Sequence, residues 1–110
     1  MDQEAPALLA YVTCRDEAEA ERIGRTLVKE RLAACVNLIP GMRSLYRWQG
    51  VIEEGREVVL LAKTIGARGD ELIARVKALH SYTCPCVVLV PLLGGNPDYL
   101  AWLTEGTSRT

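Results

Sequence analysis

Ala33-Ala34-Cys35-Val36-Asn37-Leu38-Ile39-Pro40-Gly41, continuing into Ser44-Leu45-Tyr46-Arg47-Trp48-Gln49-Gly50, is the stretch on which the fold turns. Its apolar, β-branched run from Cys35 reads as a strand entered from a preceding helix. Pro40-Gly41 predicts a kink within that strand. Gln49-Gly50 predicts a hairpin turn, because Gly supplies the positive φ that tight turns need. The strand then returns from Val51 to about Thr64. The tip half of this hairpin is polar, with Arg43, Arg47, Glu53, Glu54, Arg56 and Glu57, whereas Val58 to Leu61 at its base are apolar. Arms of this length exceed the usual strand of about five or six residues, and a lone hairpin is marginal in water. The outer half is therefore expected to pair with another subunit.

Working outward, Leu8 to Val12 reads as a buried strand. Asp16 with Glu19 gives a capping-box start to a first helix. Its stripe of Ala20, Ile23, Leu27 and Val28 predicts a face laid on a sheet, with Gly24 permitting close approach, and Glu17, Glu19, Glu21, Arg25 and Lys29 predicted to be solvated. A second helix begins near Asp70, places Leu72, Ile73, Val76, Leu79 and His80 on its apolar side, and ends before Pro85. A fourth strand spans Cys86 to Leu93. Asn96-Pro97 opens a terminal helix with Tyr99, Leu100, Trp102 and Leu103. One domain over residues 7–104 is expected, with flexible ends at 1–6 and 105–110. The order β-α-β-β-α-β plus a short helix is the α+β, ferredoxin-like split βαβ sandwich, with both main helices on one face of an antiparallel sheet. Apolar residues alternate onto both faces, so sheet-to-sheet contact between subunits is expected.

Bulk properties narrow the function. The 110 residues carry 13 basic and 14 acidic side chains, a net charge of -1, which gives no pull toward nucleic acid or anionic membrane. Phe is absent and two Trp and four Tyr are the whole aromatic complement, too few for a base-stacking platform. The apolar run Val87 to Leu93 is far too short to span a bilayer. Met1-Asp2-Gln3-Glu4 lacks the basic-then-apolar order of a signal peptide, so a cytoplasmic location with four reduced cysteines is expected. No phosphate loop, G-x-S-x-G, H-E-x-x-H or dinucleotide fingerprint is present, and one His without an evident nucleophile argues against an enzyme.

Several residues carry chemistry. His80 is the only histidine, either packed at a helix end or free to bind an ion. Cys35 at the helix-to-strand junction is a small buried hydrophobe or a soft ligand. Cys14 is placed near the start of the first helix, where the helix dipole lowers a thiol's pKa. Cys84 and Cys86 flank Pro85, and in an extended segment both thiols point to one side, a spacing that can chelate a soft metal. Lys63 lies in an apolar strand and needs a partner. Glu53 and Glu57 are the candidates, either in an intersubunit ion-pair network or around an anion-binding cleft. Tyr46 and Trp48 near the hairpin tip either close such a cleft or pack on the next subunit.

The opening stretch resembles the signature of the CutA family of divalent-cation tolerance proteins. Lys63-Thr64, Val76-Lys77-Ala78-Leu79-His80-Ser81-Tyr82 and Gly95-Asn96-Pro97-Asp98-Tyr99-Leu100-Ala101-Trp102-Leu103 match in the family's order. The resemblance implies a homotrimer built like the P-II signalling proteins, and a role in metal tolerance through binding copper or other divalent or soft ions. It implies metal ligands at Cys35 and His80, joined by Cys86, which stands where the family has Glu. Tyr46, Trp48, Glu53, Glu57, Lys63, Tyr82 and Trp102 then line a ligand cleft or trimer interface. The alternative is a P-II-like signalling trimer that binds a small anion between subunits, weakened by Val51 where the family often has Lys. Ser81 departs from the family's usual Pro.

Overall fold

A computed structural model describes residues 7–109. Strand β1 (Ala7–Cys14) leads to helix α1 (Glu17–Lys29), the hairpin β2 (Cys35–Trp48) and β3 (Val51–Ile65), a 3-10 turn at Gly66–Arg68, helix α2 (Gly69–Leu79), β4 (Val87–Leu92) and helix α3 (Pro97–Gly106). The sheet order is β2-β3-β1-β4 with every neighbouring pair antiparallel. This is the ferredoxin-like arrangement expected from the sequence.

Register assigns the faces. Ala10, Val12 and Cys14 stand opposite Ala62, Leu60 and Val58, and these join Ala20, Ile23, Leu27, Leu72 and Val76 in one core beneath α1 and α2. Tyr11, Thr13, Val59, Leu61 and Lys63 alternate onto the opposite, open face. Val88 and Val90 of β4 also lie there, half exposed. Gly24 earns its place in α1: a Cβ there would lie 3.0 Å from a Val36 methyl.

Two residues of α1 depart from expectation. Val28 is 41% exposed, at the helix edge rather than on the sheet. Glu19, expected in solvent, is 1% exposed. It stands one turn before Ile23 on the buried stripe, and helical side chains lean toward the N-terminus. The Asp16 side chain accepts from the Glu19 N–H at 2.9 Å, and Glu19 Oε1 accepts from the Arg15 N–H at 2.8 Å, one residue before the cap.

The hairpin turn has φ of 51° at Gln49 and 82° at Gly50, the left-handed pair of a two-residue turn. The kink is a bulge between Ile39 and Met42, with Gly41 at φ 84°. The bulge swaps the faces of β2, so Met42, Ser44, Tyr46 and Trp48 join the open face opposite Glu57, Gly55, Glu53 and Val51. The β1 ladder ends at Val58, which leaves Met42–Trp48 and Val51–Glu57 as a bare two-stranded arm.

The C-terminal boundary also moves. Residues 105–110 were expected to be flexible, but α3 runs to Gly106 and Thr107 is fully buried. The Thr107 hydroxyl donates to Leu103 O at 2.9 Å, and Arg68 Nε donates to Thr107 O at 3.0 Å. Arg109 pairs with Glu71 at 3.1 Å. The expected flexible lead at 1–6 lies outside the described residues.

Candidate functional site

Two constellations carry the chemistry. The first is buried where β1, α1 and the end of α2 meet: ligand atoms of Cys14, Glu19 and His80 all lie within 4.8 Å of one another. The His80 and Glu19 side chains are both 0% exposed. His80 caps α2, its N–H donating to Val76 O at 2.9 Å. Its ring Nε2 lies 2.8 Å from Thr13 O, and the Tyr82 N–H donates to Nδ1 at 3.1 Å. A carbonyl only accepts, so the proton sits on Nε2 and the imidazole is neutral with Nδ1 occupied.

Glu19 is equally committed. Its Oε2 accepts from the Ser81 N–H at 2.8 Å. Burial pushes its carboxyl up, but hydrogen bonds from Ser81 and Arg15 outweigh burial and hold it below the ordinary value. Cys14 goes the opposite way from the sequence expectation. Burial, with Glu19 and Glu57 adding repulsion, pushes its thiol up to about 12, and the helix dipole does not compensate. The donor types suit copper or zinc. Yet both His80 ring nitrogens and both Glu19 carboxylate oxygens are already bonded to backbone, so the trio as folded does not fit a resident metal and serves as a polar clamp between α1, β1 and the 80–82 turn.

The second constellation is a cleft of about 740 Å³ on the open face, where the arm leaves the sheet. Tyr46, Trp48, Glu53, Glu57, Tyr82 and Cys86 of the predicted site line it, together with Tyr11, Met42, Arg56 and Cys84. Glu57 is its polar centre, accepting from the Ser44 hydroxyl at 2.6 Å and the Tyr82 hydroxyl at 2.9 Å. Burial, and then the Glu57 carboxylate, push the Tyr82 phenol well above its usual range. A groove of about 650 Å³ between α1 and β2, walled by Gly24, Val36 and Leu38, has a rim on which Arg25 is paired with Glu21.

Other predicted residues fall apart within one chain. Cys35 stands opposite Lys63, which faces Leu9. His80 binds Thr13, four residues along β1, or roughly 13 Å away at the strand rise. Two ligands of one ion lie no more than about 4.6 Å apart, so one chain does not bring Cys35 to His80. The Cys86 carbonyl also bonds Thr13, but its thiol faces the cleft while His80 is enclosed with Cys14. Lys63 is six residues from Glu57 on the same strand, about 20 Å, and sits instead 5.4 Å from the Tyr99 ring. Trp102 stacks on Tyr99 at 5.7 Å, so Lys63, Tyr99 and Trp102 form a group of their own, outside the cleft. Sequence reasoning missed Glu19 as a site residue, although its spacing of four from Ile23 was a usable signal.

Together these features define an α+β, ferredoxin-like domain with an overlong hairpin and a cleft on its open face. The chain belongs to the CutA1 divalent ion tolerance protein family, whose profile it matches over residues 8–106. It is 50% identical over 99 residues to the divalent-cation tolerance protein CutA of Thermus thermophilus, covering 90% of this chain and 96% of that one. The rice chloroplast protein CutA 1 is 39% identical over 105 residues, 96% of this chain but 59% of that longer one. The crystal structure of CutA from Xylella fastidiosa superposes with a TM-score of 0.92 at 43% identity, covering 94% of this chain and 100% of that chain. No helix among the described residues is long and apolar enough to cross a membrane.

Proposed function

We propose that the chain is the protomer of a homotrimer that binds copper or other divalent and soft metal ions and serves in the cell's response to them. The observation that carries the assembly is the bare arm. Leu45, Val51 and Ile52 are 69%, 59% and 66% exposed on a two-stranded ribbon that has no third strand. Such a ribbon needs a further surface to be stable, and Val88 and Val90 on the open face offer one. Metal binding rests on the family's description and on the thiols and carboxylates that line the cleft. The proposed location is the cytoplasm, a reducing compartment in which the exposed Cys84 and Cys86 persist as thiols. The small-anion reading gains nothing from the cleft, where Glu53 and Glu57 oppose the single cation Arg56.

Native mass spectrometry of the reduced chain with Cu(II) and Zn(II) tests this reading. A species of three 12.1 kDa chains that takes up metal is expected. A monomer at micromolar concentration would remove the assembly, and a trimer with no metal adduct would remove the ligand.

A further inference from the structure

We propose that the open-face cleft is a binding site for a small organic amine, whose ammonium head sits at Glu57 between the rings of Tyr46 and Tyr82. The inference goes beyond the metal-binding reading above and does not rest on it: it uses none of the cysteines, and its test is run on metal-free protein.

Direct contacts bring the head site together. Glu57 stands on β3, and the Ser44 hydroxyl of neighbouring β2 donates to one of its oxygens at 2.6 Å while the Tyr82 hydroxyl donates to the other at 2.9 Å. Tyr82 is fixed at its other end too: its N–H donates to His80 Nδ1 at 3.1 Å, and its ring lies 4.6 Å from the His80 ring. Tyr46 stands opposite Glu53. A Cβ at Gly55 would lie 3.6 Å from the Tyr46 hydroxyl and 3.7 Å from a carbon of its ring, so that ring lies over Gly55, the strand position between Glu53 and Glu57. The Tyr11 hydroxyl reaches from β1 across β3 to Met42 Sδ at 3.4 Å. Met42 and Glu57 are register partners, so this contact gives the cleft an apolar floor beside the carboxylate.

The chemistry of these walls selects the ligand. Among the described residues neither Glu53 nor Glu57 has an ion-pair partner. Arg43 is engaged by Glu54, and Arg56, which also borders the cleft, pairs with neither carboxylate. A cation is therefore drawn in and an anion repelled. Each Glu57 oxygen accepts one hydrogen bond and keeps a second lone pair, so it takes an N–H without giving up Ser44 or Tyr82. Aromatic ring faces attract a cation, and Tyr46 is 44% exposed, which leaves its ring accessible. Burial, and then Glu57, raise the Tyr82 phenol, so it stays protonated and its bond to Glu57 is kept at neutral pH. The volume of about 740 Å³ and the floor of Tyr11 and Met42 leave room and apolar contact for a body behind the head, which an amine supplies and an inorganic cation does not.

Isothermal titration calorimetry of chelator-treated full-length protein tests the site with three probes of similar shape: 2-phenylethylammonium, 2-phenylethanol and 3-phenylpropanoate. The ammonium should bind at one site per chain, at least about 10-fold tighter than the alcohol, and the carboxylate should not bind. Glu57→Gln, which keeps an acceptor for Ser44 and Tyr82, should weaken the ammonium by roughly 10-fold and leave the alcohol unmoved. Tyr46→Leu should weaken the ammonium several-fold, whereas Tyr46→Phe keeps the ring and should not. Glu54→Gln, on the opposite face of the arm and paired with Arg43, should leave binding unchanged. Circular dichroism and native mass confirm that each variant folds and assembles as wild type does. No ammonium binding by wild type, equal binding of ammonium and alcohol, or undiminished ammonium binding by Glu57→Gln would each overturn the proposal. Because no metal is present, failure here leaves the metal-binding reading standing, and a protein that takes the ammonium but no divalent ion breaks that reading alone.

Discussion

Ser81 shows how one backbone N–H is tied to a buried charge. Glu19 is enclosed, and the Ser81 N–H at 2.8 Å is one of the two backbone donors that hold its carboxylate. A proline, the family's usual residue by the resemblance, has no such donor. His80 is already extended at φ -78° and ψ 147°, so the chain before residue 81 accepts proline without rearrangement. Ser81→Pro should therefore act mainly through the lost Ser81 hydrogen bonding to Glu19, from side chain and backbone alike, costing about 1.5–3 kcal/mol at neutral pH. The folded Glu19 carboxyl lies below its unfolded value, so its stabilisation is complete above the ordinary carboxylate pKa of about 4.3 and fades as pH falls through the depressed folded value. Denaturant titrations of wild type and Ser81→Pro should thus converge as pH falls through that depressed folded value. A gap that persists undiminished in acid would mean that the lost donor to the carboxylate is not the cause.

Turns and caps decide the elements, and these were the most legible features of the sequence. Asn96-Pro97 starts α3 as read, with the Asn96 side chain accepting from the Asp98 N–H at 3.0 Å. Gln49-Gly50 forms the predicted turn, yet Gln49 holds a left-handed φ that a side chain with a Cβ resists. Gln49→Asn should stabilise the hairpin by a few tenths of a kcal/mol, since Asn tolerates that conformation. Gly50→Ala should cost about 1–2 kcal/mol. A Cβ at Gly50 meets nothing within 4 Å, so that loss would be purely conformational. Thermal melts of the two variants moving in the same direction would contradict the turn assignment. Element ends and burial were harder to read. Thr107 lies in a Ser- and Thr-rich tail that reads as frayed, but the Arg68 side chain, 39 residues earlier, fixes it in place. Such a contact depends on tertiary approach and leaves no periodic trace.

At the scale of the whole molecule, the sequence foretold which residues carry polar chemistry better than which of them meet. Tyr46, Trp48, Glu57, Tyr82 and Cys86 converge on one cleft because register and the bulge bring β2, β3 and the 80–86 segment together. Cys35 and Lys63 share a register position far from His80, a separation fixed by strand pairing and invisible in a linear motif. The core explains why the arm is separable: none of its residues lies between Met42 and Glu57. The molecule nevertheless extends 45 Å along its longest axis against 22 Å along its shortest, a shape that a two-stranded ribbon does not sustain in water by itself. The arm is therefore expected to serve assembly and not the protomer's fold. Replacing residues 43–56 with a two-residue Asn-Gly turn should leave a folded four-stranded domain that no longer trimerises. Sedimentation equilibrium should then report a single chain, with a helical circular dichroism signal and a cooperative melt retained. A shortened protein that still sediments as a trimer would move the interface to the exposed Val88 and Val90 face of β4. One that fails to fold as a monomer would show that the arm's contribution reaches the core through the partner, so that protomer stability and assembly cannot be separated.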